Sequence, residues 1–216
     1  MKTHLMKTLG FCGLLATALT TNAAGTFTKI ADRNTFVPGR AETFFSVAPR
    51  DLDGQVCYLT GSASSGFQGL FAWDGTNLTT LLDTSSTAPG TGAPFTGFTS
   101  AHADHGRVVV AANTSDGRTG LYLLYQGAVT TVADTATPVP SGSGHFQNFN
   151  GSAGSPIAVE NDTVAFMGTW GSSRGVYRFA NGALTRIADT TQQFPGTNVT
   201  LSLPYVFLEL RGDAMS

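Results

Sequence analysis

Charged residues are scarce in this 216-residue chain, at 12% of the total, and glutamate is limited to Glu42, Glu160 and Glu209. Glycoside hydrolysis and related chemistry need two facing carboxyls at a defined separation, so few residues are available for it. Basic residues are equally thin. The net charge is −2, and losing Lys2 and Lys7 with an N-terminal leader leaves 10 basic against 14 acidic residues. Nothing forms the basic patch that phosphate neutralisation requires, which excludes nucleic acid as an expected partner. Cysteine is limited to Cys12 and Cys57. Cys12 falls in the leader, so the mature chain has no intramolecular disulfide. Cys57, in Val56-Cys57-Tyr58-Leu59, reads as a small packed hydrophobe rather than a nucleophile. There is no His-Glu-x-x-His pair or Walker sequence. No cofactor is implied.

The longest uncharged apolar run, Leu9 to Leu19, falls short of the ~20 residues that span a bilayer. With Lys2 and Lys7 before it and Thr20-Thr21-Asn22-Ala23-Ala24 after it, it reads as a signal peptide over residues 1–24, cleaved near Ala23 or Ala24. The mature chain is then expected outside the cell or on its surface, with no transmembrane segment. Abundant glycine and threonine without sustained helical periodicity point to a β-rich protein.

What organises residues 25–216 is repetition. Asp32, Asp83, Asp134 and Asp189 are spaced by 51, 51 and 55 residues, and Pro38, Pro89, Pro140 and Pro195 keep the same intervals. Gly69, Gly120 and Gly175 follow them, as do Phe44, Phe95 and Phe146, with Leu201 in the last place. Repeats are thus expected at about 33–83, 84–134 and 135–189, with a partial unit at 190–216, at a period typical of propeller blades. Each full unit reads as four short strands. In the third they are expected at Pro156–Val159, Thr163–Gly168, Gly175–Ala180 and Ala183–Ala188, with Gly171-Ser172-Ser173 linking the middle two.

Asn181-Gly182 is a two-residue hairpin signal, and Asp74-Gly75 and Gln126-Gly127 take its place elsewhere. Asp53-Gly54, His105-Gly106 and Asn161-Asp162 mark the turn between the first two strands. Three short connections and one long loop after the closing Asp predict a β-propeller-like fold with four-stranded blades. Three full units and a part fall below or at the low end of the usual four to eight blades, which predicts an incomplete propeller and a longer array in the parent protein.

The run Gly120-Leu121-Tyr122, Gly127-Ala128-Val129-Thr130-Thr131-Val132-Ala133-Asp134-Thr135, Thr137-Pro138-Val139-Pro140 and Gly142-Ser143-Gly144-His145-Phe146 resembles a family of uncharacterised bacterial secreted repeat proteins. The resemblance covers about Phe27 to Met215. It implies a propeller-like fold and, in many members, a PEP-CTERM type sorting tail, which is not visible here. It brings no catalytic residues.

Three residue sets could carry chemistry. Glu160 and Glu209, near corresponding places in adjacent units, are the acids that a carbohydrate-active hydrolase or lyase would use. His102, Asp104 and His105 have donor types suited to a transition metal, within one four-residue span. The repeated Asp could suggest calcium, but one carboxylate per unit followed by Thr and Pro fits an Asx-turn instead. Arg211-Gly212-Asp213 reads as turn chemistry, and the Asn-x-Ser/Thr triplets at Asn77, Asn113, Asn150, Asn161 and Asn198 arise from composition. The leading expectation is a secreted or surface module that binds an extracellular ligand or surface polymer.

Overall fold

A computed structural model describes residues 27–149, 156–203, 210–211 and 214–215. The expected signal peptide and Glu209 lie outside the described residues. The described chain is all β. Three four-stranded antiparallel sheets follow one another, each in simple meander order. The first holds β1 (Phe44–Asp53), β2 (Val56–Ala63), β3 (Gln68–Trp73) and β4 (Leu78–Asp83). The second holds β5 (Phe95–Asp104), β6 (Arg107–Thr114), β7 (Thr119–Tyr125) and β8 (Ala128–Asp134). The third holds β9 (Ile157–Glu160), β10 (Thr163–Trp170), β11 (Ser173–Ala180) and β12 (Ala183–Asp189). A two-stranded ladder, β13 (Leu210–Arg211) with β14 (Ala214–Met215), comes last. No described helix is long and apolar enough to cross a membrane.

The period-2 alternation of these strands gives each sheet two apolar faces. Leu70, Tyr58 and Leu82 of the first sheet share a core with Phe98, Val108, Val110 and Leu124 of the second. The opposite face of the second sheet, with Val109, Leu121 and Leu123, shares another with Ile157, Val164 and Phe166 of the third. Neighbouring sheets meet along their first strands, β1 against β5 and β5 against β9. A sheet buried on both faces needs near-continuous hydrophobic runs, which is why Val108-Val109-Val110-Ala111-Ala112 is buried throughout.

One contact recurs in all three units. Phe44 meets Phe71 edge-on at 5.1 Å between centroids, Phe95 meets Tyr122 at 4.9 Å, and Phe146 meets Tyr177 at 4.8 Å. Such pairs contribute about 0.5–1.5 kcal/mol beyond their burial. The second ring of each pair folds back over the glycine two residues earlier. A Cβ on Gly69 would lie 2.7 Å from the Phe71 ring, on Gly120 2.9 Å from the Tyr122 hydroxyl, and on Gly175 2.8 Å from that of Tyr177. The repeated Gly-x-aromatic is therefore a packing requirement.

Several local features differ from the sequence expectation. In β12 the alternation breaks at Ile187, because Arg186 pairs with Tyr177 and Ala188 with Val176, leaving Ile187 as a bulge. The same bulge falls at Leu81 and Val132. Asn181-Gly182 and Gln126-Gly127 both take positive φ at two positions, as a type I′ turn requires. Asp74-Gly75 does not. Asp74 instead accepts from the amides of Thr76 and Asn77, holding a four-residue loop between Trp73 and Leu78.

Gly171-Ser172-Ser173 is a tight turn rather than a link, since Trp170 pairs with Ser173. The third unit's extra length also divides differently. Gly61 and Ala112 lie 17 residues after Phe44 and Phe95, but Gly168 lies 22 after Phe146. The chain is five residues longer between the Asn148 bridge and the end of β9, and one shorter at the Trp170 turn.

The long loop after each closing Asp is itself structured. Isolated bridges Phe36–Thr43, Thr87–Pro94, Pro138–His145 and Gln193–Thr200 close four equivalent small hairpins. In the first three, Val37, Ala88 and Val139 are buried and plug the adjacent core.

Substituting Gly120 by alanine forces a Cβ to within 3.0 Å of the Ala133 carbonyl oxygen, which is backbone and cannot swing away. Urea unfolding should show Gly120→Ala destabilised by about 1–3 kcal/mol, the usual cost of overpacking. An unchanged midpoint would remove the packing explanation of the motif.

Candidate functional site

The turn that joins the first two strands of each sheet is a two-residue connection, preceded by a carboxylate in every case. Asp53 pairs with Val56, Asp104 with Arg107 and Glu160 with Thr163. Glu160 thus has counterparts in both preceding units, at Asp53 and Asp104, and is not peculiar to the third. The five-residue insertion hides this correspondence from the sequence intervals. In the last ladder Arg211 pairs with Ala214, so Arg211 rather than Glu209 falls at the register position of Glu160.

Asp53 and Asp104 reach the next sheet. Asp53 Oδ2 accepts from the Gly106 amide at 2.7 Å, and Asp104 Oδ2 accepts from the Asn161 amide at 3.1 Å. Asp51 Oδ2 accepts from the Ala103 amide at 2.8 Å. Arg107 Nε donates to Asp162 Oδ1 at 2.6 Å, and its guanidinium lies 3.9 Å from the Tyr125 ring centroid. Each bond crosses from one sheet to its neighbour, so this rim joins the units together.

The two histidines take separate partners. His102, half-buried on β5, has Nδ1 4.0 Å from Asp51. Burial pushes its pKa down, and the Asp51 charge partly opposes this. His105 is exposed in the turn at φ +48°, with Nδ1 2.8 Å from Asp104, whose hydrogen bond and charge push its pKa up. Among the described residues no three His, Cys, Asp or Glu side chains are grouped to hold a metal ion. His102, Asp104 and His105 therefore do not form the metal cluster that their spacing suggested. Asp104 points its second oxygen at Asn161, and His102 reaches back towards the first sheet.

The repeated Asp makes the same turn four times. The amides of Asn34, Ser85, Ala136 and Thr191 donate to Oδ1 of Asp32, Asp83, Asp134 and Asp189 at 3.0, 2.7, 2.9 and 2.8 Å. In return each Asp amide donates to the side chain three residues on: Thr35, Ser86, Thr137 or Gln192. This is an Asx-turn closed in both directions. Asp134 and Asp189 also receive Arg118 and Arg186 at 3.0 and 2.8 Å.

With Asp53, Asp104 and the turn aspartates engaged in these contacts, three clefts among the described residues have room for a ligand. An apolar one of about 140 Å³ lies between the first two sheets, lined by Tyr58, Leu81, Val108, Leu124 and Tyr125. A shallow one of about 440 Å³ lies beside the Asp134 turn, with Pro89, Thr91, Arg118 and Thr131. The third, about 150 Å³, is polar and formed by Ser46, Arg50, Thr60, Ser62, Gln68 and Phe98.

Sequence reasoning did not single out the polar cleft. Its signal is a difference between units. Strand pairing aligns Thr60 with Ala111 and Met167, since their partners are Leu70, Leu121 and Val176. A buried hydroxyl therefore stands where the other units place apolar side chains. Comparison with known proteins adds no assignment: no protein-family model and no curated protein matches the chain.

The Asp189 side chain is fully buried. Burial raises its pKa, but hydrogen bonds from Thr191 and Arg186 outweigh that and leave the net value below the usual aspartate range. A carboxylate depressed in the folded state contributes stability above its unfolded pKa of about 3.9, and that contribution is lost as pH falls through the folded value. Thermal melts of Asp189→Asn should show lower stability than the parent at pH 7 and a smaller loss between pH 5 and pH 2. Parallel pH profiles would show that Asp189 is not a linked group.

Proposed function

We propose that the chain is an extracellular binding module on a propeller-type scaffold, in which each four-stranded sheet is a blade and ligands enter clefts between neighbouring sheets. The observation that carries this is the division of labour among polar residues. Carboxylates at repeated positions are engaged in turns and sheet-to-sheet bonds. The polar cleft instead holds Arg50 and Thr60, and strand pairing puts the apolar Ala111 and Met167 at the Thr60 position of the other units. A scaffold role predicts sameness between units, and recognition predicts difference. Three meander sheets sharing faces, with adjacent first strands, support the propeller reading. The leader-like pattern around Leu9–Leu19 and the repeat resemblance support export and membership of the secreted repeat group.

The hydrolase alternative needed two acids peculiar to the third and fourth units. Asp53 and Asp104 occupy Glu160's register position and serve the scaffold, which favours the same kind of role for Glu160.

Affinity electrophoresis against a panel of neutral and acidic polysaccharides tests the reading. Retention by at least one polymer is expected, with no release of reducing ends on prolonged incubation. Absence of retention across the panel would count against polysaccharide binding. Reducing-end release that disappears in Glu160→Gln would establish the hydrolase instead.

A further inference from the structure

Resting on the binding-module reading, we propose that the cleft around Arg50 is a subsite for the carboxylate of an acidic sugar in an extracellular polysaccharide. Arg50 Nε donates to the buried Thr60 hydroxyl at 2.7 Å. That bond sets the plane of the guanidinium at the cleft. Among the described residues Arg50 has no ion-pair partner, unlike Arg40, Arg107, Arg118 and Arg186, each of which meets a carboxylate. The adjacent Asp51 is turned to other donors, accepting from the amides of Leu52 and Ala103. The two Nη nitrogens keep the forked geometry that matches a carboxylate.

The surroundings favour a sugar acid over a bare ion. Ser46, Ser62 and the Gln68 amide line the same cleft and suit the hydroxyls that flank a sugar carboxylate, while Phe98 forms an apolar wall. Across the cleft Gly97 leaves room for Gln68: a Cβ there would come within 3.3 Å of Gln68 Oε1. One guanidinium with neutral neighbours balances a single negative charge. A phosphate dianion would want a second cation, and none of the other lining residues supplies one.

Among the cleft's polar positions, Thr60 is the one buried hydroxyl that the second unit replaces with an apolar side chain. Where the first sheet has Ser46, Thr60, Ser62 and Gln68, strand pairing places Gly97, Ala111, Asn113 and Thr119 in the second. Thr60→Ala thus installs a residue that the same fold already accepts at Ala111. It removes the hydroxyl that orients Arg50 and little else.

Calorimetric titration with galacturonate oligosaccharides, their methyl esters and a neutral oligosaccharide of equal length tests the assignment, with near-UV circular dichroism to confirm the fold of each variant. The acid form should bind and the ester should not. Arg50→Gln should weaken binding about tenfold or more, Arg50→Lys by less, since a point charge replaces the fork, and Thr60→Ala by a few-fold. Equal binding of acid and ester, or Arg50→Gln binding like the parent, would overturn the subsite. If the parent binds a neutral saccharide and Arg50→Gln does not alter that, the subsite falls while the binding module stands. If no saccharide of either class binds, the subsite falls, and retention on the wider polymer panel decides the binding module separately. Should Arg50→Gln fail to fold, Arg50→Lys and Thr60→Ala decide the matter.

Discussion

The edge-on aromatic pair seated on a glycine is the contact on which the rest of the structure depends. Each unit opens with a phenylalanine, Phe44, Phe95 or Phe146, and that ring must meet an aromatic from the sheet's third strand. The third-strand ring can fold back only because the residue two before it has no side chain. That glycine pairs with the aspartate that closes the sheet: Gly69 with Asp83, Gly120 with Asp134 and Gly175 with Asp189. The aspartate starts the Asx-turn, the turn starts the small hairpin, and the hairpin's apolar residue returns to the core. Phenylalanine, glycine, aspartate and proline therefore keep one interval because they belong to one continuous piece of packing.

A scaffold assembled this way leaves recognition to positions outside that packing. Repeated carboxylates look like functional acids in a sequence with so few charges. Their geometry shows them accepting backbone amides within a turn or from the next sheet's turn. Amide donors that lack a partner are costly when shielded from water, so these aspartates have structural work in every unit. The polar cleft at Arg50 differs in kind. A hydroxyl replaces an apolar side chain in an otherwise repeated core, and a cation beside it has no acid to meet.

Much of the fold was legible in the residues. Strand number, hairpin order and the Asx role of Asp32, Asp83, Asp134 and Asp189 follow from local patterns, because alternation and turn chemistry act over a few residues. Other features were not. The bulges at Leu81, Val132 and Ile187 were hidden, since an alternating strand looks the same until its partner skips a residue. The equivalence of Asp53, Asp104 and Glu160 was masked by the five-residue insertion that precedes Glu160. The histidine and acid spacing at His102–His105 invited a metal. The pleat and the turn sent those side chains to different neighbours.

The sequence by itself determined the all-β character and the recurring intervals of Phe, Gly, Asp and Pro, because these rest on local alternation and turn chemistry and on spacings that can be counted. Tertiary structure alone decided which polar groups serve the scaffold. A carboxylate reads the same whether it faces solvent or the amide of a residue some fifty places away, as Asp53 does with Gly106. It also decided that Arg50, adjacent to Asp51 in sequence, is not its ion-pair partner. Strand pairing draws the aspartate to Ala103 and the arginine to Thr60, leaving a single cation at the edge of the cleft.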